Sequence, residues 1–261
     1  MAPPAMVVTY PTRRLPDLQN PNLDGFDTLG AWREAAKLSG KRFHVYLNTR
    51  GLRVHDRHPD WMQQDFEGTG SGRGPGLYDS CPRPAPDGDG YLEEILLPLL
   101  EEISRNYQPG RFWVDGDFAR TRVCYCDRCR EAWRRQTGMP VPPEDAQDPD
   151  WSDWLRLQQN RYDAYRQQMA ETIHCENPAA MYTSNHSWRK TYVADFERID
   201  PRDPPAFADS ISADLSSGNS LRTTRLAAML LSADQTTPRD IMHVINRDDE
   251  ISLGRVLQQG G

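Results

Sequence analysis

The chain has 261 residues, enough for one barrel-sized core, and with 37% hydrophobic residues it lies above the disordered regime. Its net charge of −7, with the signs intermixed, argues against a nucleic-acid partner, which would need a basic face. No apolar run reaches bilayer-spanning length, and Met1 to Tyr10 lacks a secretory pattern, so the expectation is a cytoplasmic chain with no membrane contact.

Strand-like and helix-like stretches alternate, which predicts parallel βα units. Met6 to Tyr10 is a short β-rich run. Asp27 to Ser39 has helical apolar spacing and is stopped by Gly40, and Phe43 to Leu47 is the next strand, ending at Asn48. Residues 49–90 are loop-rich. Tyr91 to Tyr107 is an amphipathic helix in which Pro98 predicts a kink, and Phe112 to Asp115 is a strongly apolar strand. Arg130 to Gln136 reads as a helix ended by Gly138, and Pro140 to Asp150 as an acidic connector. Trp151 to His174 is a long helix, followed by a strand at Ala180 to Thr183 and another at Ala206 to Ala213. Arg222 to Ser232 reads as a helix, Asp240 to Ile245 as a strand and Ile251 to Gln259 as a last helix. There is no internal repeat, and residues 1–261 read as a single domain.

The densest chemical signal is Cys124-Tyr125-Cys126-Asp127-Arg128-Cys129. Zn²⁺ takes four soft or borderline ligands in a tetrahedron, and one turn of chain here supplies three thiolates. Cys81 is the best fourth ligand, because it closes the long loop that leads into the Trp113 strand. His174 and Cys175 are rivals at the far end of a long helix. Four protein ligands leave no open position, so such a zinc would be structural.

Asp115 ends an apolar strand and precedes Gly116, which would set a carboxylate at the mouth of a parallel barrel, where loops build active sites. Glycoside hydrolysis needs two carboxylates in different environments, and Asp214, at the end of the Ala206 to Ala213 strand, is the candidate second member. A strand-end aspartate also serves as an ordinary helix cap. Tyr46, Trp61 and Trp113 lie at strand ends or in loops, where rings could stack on sugar faces. With Asn48, Asp117, Asn185 and His186 they make the expected substrate contacts. The glycine-rich run from Gly68 to Gly76 lacks the lysine and flanking elements of a phosphate loop and reads as a plain loop.

Several motifs taken together are similar to a known family. Tyr10-Pro11-Thr12, Asp24-Gly25-Phe26-Asp27, Phe43 to Asn48, His58-Pro59-Asp60-Trp61, Phe112-Trp113-Val114-Asp115-Gly116, the cysteine cluster and Asn185 resemble the hypothetical glycosyl hydrolases related to α-L-fucosidases. That resemblance implies a (β/α)8 TIM-type barrel and a nucleophilic role for Asp115, while the acid/base residue does not carry over. The spacing of Cys81, Cys124, Cys126 and Cys129 also resembles the zinc-bearing, trimer-forming β-galactosidases. In those a Glu preceded by Asn ends the strand, whereas Asp115-Gly116-Asp117 stands here. Set against the family, Met6 to Tyr10 corresponds to the second barrel strand, Phe43 to Leu47 to the third, the Asp115 strand to the fourth and Asp240 to Ile245 to the seventh.

The resulting expectation is an α/β chain forming an incomplete (β/α)8 barrel without its first and eighth strands, and able to close by homo-oligomerisation. It would carry a structural Zn²⁺ and hydrolyse a glycoside or oligosaccharide with retention. The rival readings are a non-catalytic carbohydrate-binding remnant of such a barrel and a zinc-stabilised interaction domain.

Overall fold

The computed structural model describes residues 8–49, 54, 57–70, 80, 81, 83–115, 123–185, 209–216 and 239–244. Its frame is a five-stranded sheet built from β1 (His44–Asn48), β2 (Arg111–Asp115), β3 (Met181–Asn185), β4 (Ser210–Ser216) and β5 (Arg239–Val244). Spatial order equals chain order, and every neighbouring pair is parallel. Parallel neighbours need a crossover, and crossovers are right-handed. When the order never reverses, all crossovers fall on one side of the sheet, which is the winding of a barrel wall and not that of a doubly wound sheet.

The helices are α1 (Thr28–Leu38), α2 (Leu97–Tyr107), α3 (Asp127–Thr137) and α4 (Trp151–Glu176). α2 lies between β1 and β2 in the chain, and α3 and α4 between β2 and β3. Strand alternation explains how they pack. Val45, Leu47, Phe112, Val114 and Tyr182 point toward the helices and share a core with Leu99, Leu100 and Ile103 of α2 and Tyr165, Met169 and Ile173 of α4. The alternate residues His44, Tyr46, Asn48, Trp113 and Thr183 lie outside that core, on the opposite face of the sheet.

Local signals account for the helix ends. The Asp27 carboxylate accepts from the Gly30 N–H at 2.9 Å and caps α1. Gly138, at φ +76°, takes the left-handed conformation that ends α3. The kink expected at Pro98 is a widened turn just before it. Leu92–Leu96 forms a π turn, closed by the Leu97 N–H on the Leu92 carbonyl. Proline has no N–H for the Glu94 carbonyl and its ring crowds that oxygen, so the preceding turn opens.

Of the run at Met6 to Tyr10, expected as the second barrel strand, only Val8 to Tyr10 lie among the described residues. Among its described residues, Val8 forms a lone parallel bridge with Gln19, donating to the Leu18 carbonyl and accepting from the Asn20 N–H. Tyr10 and Thr12 then donate to the buried Glu102 carboxylate at 2.9 and 2.5 Å. Among the described residues this segment is tied to α2 and to the Leu18–Asn20 stretch. The predicted strand at Ala206 to Ala213 begins at Ser210, because Asp209 stays outside it, accepting from the Tyr182 N–H and pairing with His174 at 2.8 Å. The helices predicted at Arg222 to Ser232 and Ile251 to Gln259 lie outside the described residues. No described helix is long and apolar enough to cross a membrane.

Candidate metal centre and strand-end site

Cys81, Cys124, Cys126 and Cys129 converge in a second apolar cluster with Trp133 of α3 and Trp154 and Leu157 of α4. All four are buried, and their sulfurs lie within 4.8 Å of one another. The Cys81 and Cys129 sulfurs are 3.8 Å apart. Four thiolates about 2.3 Å from a tetrahedral ion sit about 3.8 Å from each other. Donor type, number and spacing therefore suit a tetrahedral divalent metal, and the four cysteines can hold one.

The surrounding chain fixes each ligand. Cys81 arrives where the loop returns to its start: Met62 and Ser80 pair in an antiparallel bridge, and the Cys81 N–H donates to the Trp61 carbonyl at 2.7 Å. The Tyr125 N–H donates to the Gln64 carbonyl at 2.9 Å. From α4, Gln158 brackets Cys124, accepting from its N–H and donating to its carbonyl. The Cys126 carbonyl accepts from the N–H groups of Cys129 and Arg130, which starts α3 earlier than the expected Arg130 and makes Cys129 part of its first turn. Trp133 and Trp154 meet edge to face at 5.7 Å and, with Tyr125 and Leu157, cover the thiols.

Burial and mutual hydrogen bonding divide the four thiols. Hydrogen bonds from Cys124, Cys126 and Cys129 pull Cys81 well below the usual thiol range. At Cys129 burial pushes upward, but hydrogen bonds from Cys124 and Cys126 outweigh it and the thiol falls. Cys124 is driven up, chiefly by burial, and Cys126 chiefly by its hydrogen bonds with the neighbouring cysteines. Of the rival ligands, His174 is engaged with Asp209 and Cys175 is exposed, so the fourth member is Cys81.

Two residues of this centre were missed by the sequence reading. Arg161 of α4 donates to the Cys129 sulfur at 3.1 Å and to the Pro84 carbonyl at 2.5 Å. Arg83, 1% exposed, donates to the Cys81 sulfur at 3.9 Å. Its place two residues after Cys81 was the available hint. Arg161 had none, since it reaches the site only through the packing of α4.

The strand-end residues form a separate group on the face away from the helices. Tyr46 and Trp113 stack with ring centroids 5.2 Å apart, and the Asn48 amide donates to the Tyr46 hydroxyl at 3.1 Å. Tyr46 is 57% exposed and Trp113 only 9%, so the exposed part of this stack is the tyrosine. Asp115 is in register with Asn48, and Asn185 with Ser212 of β4, two residues before Asp214. Asp115 and Asp214 thus sit two strand spacings apart and two residues out of row, about 12 Å along the backbone. Trp61 does not join them. At 2% exposure it is a core residue, stacked against His58 and tilted toward Tyr91, so its ring offers no open face. Asp117 and His186 lie outside the described residues.

No protein-family model matches the sequence, and no curated protein matches it. The structure resembles a β-galactosidase from Bacillus circulans sp. alkalophilus with a TM-score of 0.54 and 16% identity, over 80% of this chain and 36% of that one. A polyextremophilic β-galactosidase from the Antarctic haloarchaeon Halorubrum lacusprofundi gives 0.52 and 18%, over 74% and 33%. A catalytic mutant of a GH42 β-galactosidase from G. stearothermophilus gives 0.53 and 15%, over 77% and 34%. The chain spans about a third of the length of these enzymes. At such identities the likeness speaks to architecture: this chain has the fold of a portion of the β-galactosidase structures.

Proposed function

We propose that this chain is part of a glycoside-hydrolase barrel, acting on a glycoside at the carboxyl ends of its strands and stabilised by a structural Zn²⁺ on Cys81, Cys124, Cys126 and Cys129. The observation that carries this reading is the conjunction of a singly wound parallel sheet with a four-thiol centre whose clustered cysteines follow its second strand in the chain. The fold likeness to β-galactosidases supports it, and favours a galactoside over the fucoside that the Trp113 to Gly116 motif alone would suggest. In this reading Asp115 is the nucleophile, Asp214 the acid/base partner, and Tyr46 with Trp113 the sugar-stacking surface. Asn48, Asp117, Asn185 and His186 contact the substrate from the strand ends.

Retention needs the two carboxyl groups roughly 5 Å apart and inversion roughly 6.5–9.5 Å. A backbone separation of about 12 Å is more readily reconciled with the inverting spacing than with the retaining one. Turnover of chromogenic β-galactosides and α-fucosides by the wild type and by Asp115→Asn is the test, with product stereochemistry read by NMR. Loss of turnover in Asp115→Asn supports the assignment, and unchanged turnover removes Asp115 from the mechanism. A second reading, a carbohydrate-binding remnant without catalysis, rests on the exposed Tyr46 ring stacked on Trp113. Sugar binding without turnover, abolished by Tyr46→Ala, would select it.

A further inference from the structure

Four thiolates around a divalent ion carry two net negative charges, and this centre is closed off from water by Trp133, Trp154 and Tyr125. Charge in such a place is costly unless it is balanced nearby. Two guanidiniums reach the sulfurs, one from each side. Arg161 comes from α4 to Cys129, and Arg83, itself buried, comes from the loop to Cys81. The Pro84 carbonyl holds the second nitrogen of Arg161 and so fixes the approach of its fork.

We propose that Arg83 and Arg161 are the counter-charges of the metal centre, neutralising a divalent ion with four thiolates and thereby setting how tightly the metal is retained. The inference rests on the four-cysteine metal reading and goes beyond it by naming residues that are not ligands. Arginine suits the role because it stays charged when buried and donates in a fixed fork. Sulfur acceptors that receive such bonds are weaker bases and better held in the thiolate form, so the effect falls on affinity and not on geometry.

The test uses the full chain loaded with Zn²⁺, with a parallel sample loaded with Co²⁺. Zn²⁺ affinity is read by competition with a chromogenic chelator, and site geometry by the thiolate-to-Co²⁺ charge-transfer and ligand-field bands. Arg161→Gln is expected to weaken Zn²⁺ binding about 10- to 100-fold while the Co²⁺ bands stay those of a tetrahedral four-sulfur site. Arg161→Lys keeps the charge and is expected to recover most of that loss. Arg83→Lys, with the same buried charge on a single ammonium in place of the fork, should fall between the two. Equal Zn²⁺ affinity in wild type and Arg161→Gln would overturn the counter-charge role and leave the four-cysteine site standing. So would equal losses in Arg161→Gln and Arg161→Lys, which would mark a packing role. A wild-type chain that takes up no Zn²⁺ would sink the metal reading and this inference together.

Discussion

The sheet and the cysteine lobe are stabilised by different means. Behind the sheet, β1, β2 and β3 press Val45, Leu47, Phe112, Val114 and Tyr182 onto α2 and α4, and apolar burial does the work. In the lobe, four of the eight buried side chains are thiols, and two arginines reach into them. The lobe's apolar share is Trp133, Trp154, Tyr125 and Leu157, a smaller core than the one behind the sheet, so a metal on the four thiols would supply a large part of its stability. In the proposed reading one region of the chain folds by exclusion of water and the other leans on an ion.

The sharpest way to break this contrast is to remove the ion or a ligand. Chelation of the loaded protein, or Cys124→Ser, is expected to cost more than about 4 kcal/mol. The near-UV dichroism of the Trp133–Trp154 pair should flatten while the far-UV signal of α2 and α4 persists. An unchanged melting temperature and near-UV spectrum would show that the lobe packs as the sheet does. The converse substitution is Leu96→Ala, at a site with 0% exposure in the main core. It should cost about 2–5 kcal/mol in urea titration and leave the metal stoichiometry untouched. If metal were lost as well, the two regions would be one cooperative unit.

Smaller effects sharpen the description of the sheet side. The buried Glu102 accepts from Tyr10, Thr12 and the Arg13 N–H, binding the first described segment to α2. Glu102→Gln replaces one acceptor by a donor there and should cost about 1–3 kcal/mol in chemical denaturation, with earlier proteolysis before Leu18. Equal protease resistance would show that the Val8–Gln19 bridge alone holds that segment. Least costly is Asp27→Ala, which removes the α1 cap and the acceptor of the Tyr107 hydroxyl. About 1 kcal/mol is expected, read as a lowered thermal midpoint.

How much of this was legible in the sequence varies by region. The strands at His44–Asn48 and Arg111–Asp115 were, because continuous or alternating apolar residues leave few other placements. The four-cysteine set was legible too, since thiols at this spacing have few other uses. Pro98 gave a distortion but not its form, because a kink and a π turn relieve the same clash. Trp61 misled, as a loop tryptophan beside a histidine looks exposed until the returning Cys81 strand covers it. Arg161 was invisible, for a surface-type residue on a long helix gains its meaning only from what the helix packs against.

The position of the thiols along the chain has a topological effect. Cys81 precedes α2 and β2, and Cys124 follows them, so a metal bound to both closes a ring of chain around the helix and the strand that carries Asp115. A cross-link closing a ring of that size lowers the entropy of the unfolded chain by roughly 4 kcal/mol at room temperature, if a metal clip acts as a disulfide does. The ion would then act as the clasp of a loop that includes β2, and its release would free that strand's neighbourhood as well as the lobe in which the ion sits.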